Sequence, residues 1–281
     1  MNIDALRERA KIVGKIRRFF DDLGFVEVET DVRIAAPAPE EHIDCPPVVG
    51  GGYLRASPEL QMKKLLAGGM NLIYQIGPCF REGERGDRHR PEFTMLEWYR
   101  RGADYSATRD DLAGLLAALG VKGEFRTLRV REAYRTYAGW DPWEGEWNGD
   151  RFDFDMAEKI EPAIAEMGGG IFLSDYPPEA ASLAKMSSSG DGEWFAERWE
   201  FYWNGMELAN AFSELCDGDE QGRRFDKARK ARLAIGEADY PIDEEFLSVL
   251  PQIGSASGVA LGIDRLVMAL LDCNSILQVR A

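Results

Sequence analysis

Two apolar segments, Asn71 to Phe80 and Glu92 to Arg100, flank an eleven-residue charged stretch, Arg81 to Pro91. Both are too short for ordinary amphipathic helices and rich in Ile, Tyr, Phe, Thr and Trp, so they are expected to pair as a long-looped antiparallel hairpin. This pair constrains the fold more than any other feature. On a strand from Glu92, the residues Phe93, Met95, Glu97 and Tyr99 share one face, and Thr94, Leu96, Trp98 and Arg100 share the other. A carboxylate and a phenol beside an aromatic ring are not needed for a plain core face.

Around this hairpin the periodicity predicts a helix over Asp4 to Leu23 with a left-handed stop at Gly24, then a strand over Phe25 to Thr30. The segment Pro37 to Pro47 is loop and Tyr53 to Ala56 a short strand. Ser57, Pro58 and Glu59 supply helix-start chemistry for a helix over Pro58 to Ala67. Helices are expected over Tyr105 to Leu119, Leu128 to Ala138, Phe152 to Met167 and Asp219 to Ala238. Strands are expected over Ile171 to Tyr176, Arg198 to Trp203 and Glu207 to Leu215. A small-residue strand, Ser257 to Ile263, runs into an apolar helix from Asp264 to Leu271. Hairpin-connected strands with helices gathered around them imply an α+β fold on an antiparallel sheet, and 281 residues without an internal repeat imply one domain over 1–281.

Composition excludes several classes. No apolar run approaches the roughly 20 residues of a membrane span, and the first 24 residues mix charge throughout, so no membrane partner and a cytoplasmic location are expected. Cys45, Cys79, Cys216 and Cys273 are too dispersed for a zinc site or a disulfide framework. A net charge of -15 repels nucleic acid, so tRNA is not an expected partner.

Three constellations carry chemistry. The first is the hairpin, where Arg81, Arg85, Arg88, His89 and Arg90 could clamp phosphates while Phe93 stacks on a base. The alternative is a solvated loop neutralised by Glu82, Glu84 and Asp87. The second is "ELANAFSE", Glu207 to Glu214, where Asn210, Phe212 and Glu214 share a face suited to an ammonium. Glu207 has the opposite parity and joins them only through a bulge or from the strand's mouth. With Glu200 it could hold Mg²⁺, which prefers one or two carboxylates plus substrate phosphates. An edge strand with a polar outer face explains the same spacing. The third is "SGVALGIDRLVMALL", where Gly258, Ala260 and Gly262 let a ligand approach the backbone. Arg265 in the next helix's first turn is unfavourable unless an anion sits there, whereas close sheet–helix packing explains only the glycines.

Together and in this order, the segments resemble the class II aminoacyl-tRNA synthetase core. "CFREGERGDRHRPEFTMLEWYR" is similar to its second motif and "GVALGIDRLVMAL" to its third. "SPELQMKKLL", "RHRPEFTMLEWY" and "ELANAFSEL" resemble the lysine branch, and the whole resembles the truncated members of that branch that ligate (R)-β-lysine to elongation factor P. The resemblance implies an enzyme that uses ATP and Mg²⁺ to make an aminoacyl-adenylate of lysine or β-lysine and passes it to a lysine of elongation factor P. It further implies a homodimer without an anticodon-binding domain. Two other readings stay open: a free-standing lysine-type core acylating another acceptor such as tRNA, and a non-catalytic sensor of lysine or ATP.

Carried over residue by residue, Arg81 and Arg265 are the catalytic arginines. The nucleotide set is Arg81, Glu82, Gly83, His89, Arg90, Phe93, Glu207, Leu208, Gly262 and Arg265. The amino acid set is Ser57, Pro58, Glu59, Glu97, Tyr99, Asn210, Glu214 and Ala260, and Glu200 and Glu207 are the metal carboxylates. Ala260 stands where lysyl-tRNA synthetases have glycine, and its methyl should favour an amine one carbon further along. Three positions depart from the pattern. Gly83 occupies the place of a glutamate that Glu84 could supply, Arg90 that of an asparagine, and Asp31 that of a proline in the first motif.

Overall fold

The computed structural model describes residues 2–190 and 192–280. Helix α1 (Ile3–Asp22) starts where the Asn2 side chain accepts the Ala5 N–H. It stops at Gly24, whose φ is +80°, with the Gly24 and Phe25 N–H groups returned to the Asp21 and Phe20 carbonyls. Strand β1 (Val26–Glu27) is shorter than expected. The chain leaves the sheet because buried Arg55 donates to the Thr30 carbonyl and hydroxyl and to the Asp31 carbonyl, satisfying them without a ladder.

Strands β2 (Arg33–Ile34) and β3 (Tyr53–Leu54) form a small separate ribbon, followed by α2 (Glu59–Ala67). The hairpin follows as β4 (Leu72–Phe80) and β5 (Glu92–Arg101), antiparallel from Leu72 opposite Arg100 to Phe80 opposite Glu92. After α3 (Tyr105–Ala118) comes β6 (Arg126–Arg129), which corrects the helix expected from Leu128. Leu128 and Arg129 pair in parallel with Leu173 and Ser174, and the helix begins only at Val130 as α4 (Val130–Ala133), widening into a π-turn to Ala138. The next helical stretch runs from α5 (Gly149–Asp155) through a π-turn (Met156–Ile160) to α6 (Glu161–Met167). The wide turn lies just before Pro162, which cannot donate to the helical ladder.

The remaining strands are β7 (Gly170–Tyr176), β8 (Met186–Ser188), β9 (Trp194–Trp203) and β10 (Met206–Ser213). Then come α7 (Gly218–Ala234), α8 (Glu244–Val249), β11 (Ala256–Gly262) and α9 (Ile263–Leu271). Helix α7 ends before the expected Ala238 because buried Arg232 draws the Ala238 carbonyl back onto itself and Gly236 turns with φ of +86°.

Among the described residues the large sheet has nine strands in the order β1-β4-β5-β11-β10-β9-β7-β6, with β8 on β9. Only the pairs β1–β4 and β6–β7 are parallel, so the fold is α+β on a mostly antiparallel sheet. Helices α1, α3 and α9 cover one face, burying Leu96 and Trp98 of β5, Trp199 and Phe201 of β9, and Val259 and Leu261 of β11. That face is the one the alternation of β5 assigned to Leu96 and Trp98. On the opposite face α2, α7 and α8 pack around Tyr99 and Ile73, leaving the middle of the sheet open. No helix among the described residues is long and apolar enough to cross a membrane. The four cysteines are free.

Candidate active site

The open middle of the sheet floors a cavity of about 1370 Å³. It is bordered by sixteen of the expected residues: Ser57, Glu59, Arg81, His89, Arg90, Phe93, Glu97, Tyr99, Glu200, Glu207, Leu208, Asn210, Glu214, Ala260, Gly262 and Arg265. Pro58, Glu82 and Gly83 lie outside it. Pro58 is buried at the start of α2. The Glu82 N–H is tied to the Asp44 carbonyl, and the chain turns at Gly83 with φ of +75°. The loop carboxylate on the cavity wall is Glu84, 3.4 Å from the Arg81 guanidinium.

One end of the cavity is cationic. The Arg81 guanidinium lies 5.3 Å from the Phe93 ring centroid, and its Nε is buried without a hydrogen-bond partner. Arg265 reaches in from the first turn of α9, donating to the Glu207 carbonyl at 3.0 Å and to its carboxylate at 3.2 Å, with a second nitrogen against His89 Nε2. Burial, and then the Arg265 charge, hold the His89 pKa below its usual value, so the ring is neutral near pH 7. An orphaned buried Arg81 nitrogen and an arginine at a helix N-terminus are what a polyphosphate would satisfy.

Next to it lie the paired carboxylates. On β10 the two-residue period breaks: Glu207 pairs with Tyr202 but Ala209 with Phe201. The extra residue lets Leu208 and Ala209 both join the core while Glu207 and Asn210 both border the cavity. This bulge is one of the two ways in which the parity of Glu207 allowed it to join that face. Burial, and then the negative charge of Glu200, raise the Glu207 pKa, and burial followed by Glu207 and Glu200 raises that of Glu161. Glu200 is held by Arg198 at 2.6 Å and the Tyr202 hydroxyl at 2.7 Å. Crowded carboxylates of this kind fit a divalent cation. Among the described residues no cluster of three acidic, His or Cys groups has metal-holding geometry, so Mg²⁺ here would use Glu200 and Glu207 and complete its shell from nucleotide oxygens and water.

The other end is anionic and closed. Glu97 is 1% exposed, accepting from the Ser57 hydroxyl at 2.6 Å and the Tyr99 hydroxyl at 2.9 Å. The same Ser57 oxygen accepts the Glu59 N–H at 2.9 Å, so one hydroxyl starts α2 and fixes the carboxylate. Burial and the charge of Glu59 raise the Glu97 pKa to about 7 against these hydrogen bonds. Glu214, 2% exposed, is raised to about 8, chiefly by burial. Its Oε1 has no hydrogen-bond partner and packs over Gly258, where an added Cβ would lie 2.5 Å from that oxygen and collide with the Tyr99 ring. Ala260 sits opposite Glu97 on one side and Asn210 on the other. The cavity thus joins a phosphate-type end to an ammonium-type end across a carboxylate pair.

Three groups on or close behind the cavity wall were not anticipated. Arg198, on the same strand face as Glu200, donates to Asn210 Oδ1 at 3.1 Å and lies 4.4 Å from the Tyr176 ring centroid. Its i, i+2 relation to Glu200 was the available signal. Lys63, 1% exposed, is ion-paired with Glu59 at 2.5 Å and with Glu214. Only its i+4 relation to Glu59 was visible beforehand. Glu161 arrives from a distant helix and left no local signal.

The family model described as tRNA synthetases class II (D, K and N) matches residues 2–281. The chain is similar to the elongation factor P (R)-β-lysine ligase of Proteus mirabilis, 38% identical over 100% of this chain and 95% of that protein. It is likewise similar to those of Sodalis glossinidius, 37% identical over 98% and 94%, and Vibrio vulnificus, 34% identical over 100% and 95%.

Proposed function

Because the chain belongs to the class II tRNA synthetases of the D, K and N type, we propose that it activates a diamino acid with ATP and transfers it to a protein lysine. The diamino acid is (R)-β-lysine in preference to α-lysine, and the acceptor is elongation factor P, the pairing named for the relatives. One observation carries the reading: a single cavity places unpartnered Arg81 Nε and Arg265 at one end and Glu97 and Glu214 at the other.

The amino acid lies with its ammonium groups on Glu97 and Glu214 and its carboxylate toward the arginines. Phe93 stacks on adenine, while Arg81, His89 and Arg265 hold the phosphates. The carboxylate attacks the α-phosphorus in line and pyrophosphate leaves, so no protein nucleophile is needed. Positioning and charge stabilisation perform the step, with Arg81 and Arg265 facing the charge that grows on the phosphoryl oxygens. Glu200 and Glu207 would hold Mg²⁺, which would supply further positive charge to the polyphosphate. In the second step the neutral acceptor amine attacks the adenylate carbonyl, the bond from the acyl carbon to the phosphate oxygen breaks, and AMP leaves as its phosphate takes up the amine proton.

A protein acceptor accords with the net charge of -15, which repels a tRNA backbone. The protein works as a homodimer in the cytoplasm, where its acceptor is. ATP–pyrophosphate exchange with α-lysine, (R)-β-lysine and (S)-β-lysine tests the first step. Exchange greatest with (R)-β-lysine is expected, and none with any of the three defeats the enzyme reading.

A further inference from the structure

Behind the ammonium-type end sits a cation that the reaction does not use. Lys63 projects from α2 into the space between Glu59 of the same helix and Glu214 just beyond β10. Its side chain is 1% exposed, and it does not border the cavity, although both of its carboxylate partners do. Its ammonium also lies 5.1 Å from the centroid of the Phe212 ring. Burial by itself penalises the charged form of a lysine and pushes its pKa down. Here burial pulls the pKa down but Glu214 and Glu59 outweigh it, and the net shift is upward, so the ammonium is retained.

Charge counting gives this ion a role. With Glu214 ionised, as it must be to receive an ammonium, Glu59 and Glu214 carry two negative charges, and Lys63 cancels one of them. One negative charge is left for an incoming ammonium at that subsite, and Glu97 supplies the other. We propose that Lys63 is a positioning residue that sets the substrate's charge requirement: a buried resident ammonium that ties Glu59 to Glu214, turns the free Glu214 oxygen to the cavity, and leaves room for two substrate ammonium groups and no more. The inference rests on the diamino acid reading above and explains why that subsite accepts a diammonium chain.

An ordinary structural ion pair predicts something different. Removing Lys63 would then cost folded protein and lower every activity in proportion. A charge-setting role instead changes how the diamino acid binds while leaving the nucleotide alone. The other titratable groups facing Lys63 and Glu214 are Glu59 from α2, Glu97 and Tyr99 from β5, Glu40 from the loop before β3, and Cys216 after β10. Of these Glu59 opposes Lys63 most directly, because its charge raises the Glu214 pKa while that of Lys63 lowers it.

The test is pyrophosphate exchange across the neutral pH range with the wild type, Lys63→Met and Glu59→Gln, each checked for folding by thermal melting. For Lys63→Met, the KM for the diamino acid should rise about tenfold or more, with the KM for ATP within about twofold. The acid limb of kcat/KM should move to higher pH in Lys63→Met and to lower pH in Glu59→Gln, opposite shifts that general damage does not produce. If Lys63→Met does not fold, the Glu59→Gln limb decides alone. A limb that stays in place or moves upward in Glu59→Gln, or an unchanged diamino acid KM in folded Lys63→Met, overturns the proposal. A wild type inactive with every diamino acid overturns the functional reading instead.

Discussion

Glu97 holds its carboxylate where water does not reach, and the Ser57 and Tyr99 hydroxyls leave it oriented for one further donor. Replacing it by glutamine removes the charge from the proposed ammonium subsite, and such truncations cost roughly 30-fold or more in affinity. Glu97→Gln should therefore raise the KM for lysine or β-lysine by at least that factor in pyrophosphate exchange while the KM for ATP stays put. The pH dependence has a definite sign. With the free carboxyls of Glu97 and Glu214 raised to about 7 and about 8, both are partly protonated near neutrality and must ionise to take up an ammonium. So kcat/KM rises with pH through that window, and calorimetry in buffers of different ionisation enthalpy should record proton release on binding. No release across the neutral range would contradict it. Ala260→Gly should shift the ratio of kcat/KM between β-lysine and α-lysine toward α-lysine, by the roughly 10- to 200-fold scale of one methylene in a fitted pocket.

At the scale of elements, β11 works by having almost no side chains on its cavity face. A methyl at Gly258 would meet the Tyr99 ring and the Glu214 carboxylate, displacing two groups of the ammonium end at once. Gly258→Ala should thus abolish the stabilisation of the protein by the diamino acid in thermal melting while retaining that by ATP. The same scale shows what was legible beforehand. The β4–β5 hairpin could be read because alternation in β5 sends Leu96 and Trp98 to the core and Phe93, Glu97 and Tyr99 to the cavity. Strand β6 could not, because its four residues are mostly exposed and pair in parallel with a strand some forty positions later. The bulge at Leu208 was foreseeable as one of two ways for Glu207 to join that face but not as a location, since a bulge is fixed by neighbours across the sheet. Lys63 was hidden because nothing local to α2 calls for a buried lysine; its partner Glu214 lies 151 positions later.

The whole molecule closes around Asp264. This buried carboxylate accepts the Thr94 N–H of β5 at 2.8 Å, pairs with Arg9 of α1 at 2.6 Å and with Arg280 near the C-terminus at 3.2 Å. Arg280 also meets Glu92 at 2.5 Å, which accounts for a glutamate on the hairpin face that the ligand reading leaves without a role. Both chain ends are thereby tied to the strand carrying Phe93 and the helix carrying Arg265. Arg280→Ala should lower stability by roughly 1–3 kcal/mol, the range for leaving a buried partner under-satisfied, seen as a lower urea midpoint with an unchanged m-value. At this scale the central claim is that one chain performs both activation and transfer to protein. The direct measurement is to form the enzyme-bound adenylate from labelled (R)-β-lysine, remove free ATP, and add either elongation factor P or tRNA for lysine. The label is expected on one lysine of elongation factor P, with release of AMP. Label on the tRNA, or on neither acceptor, would contradict it.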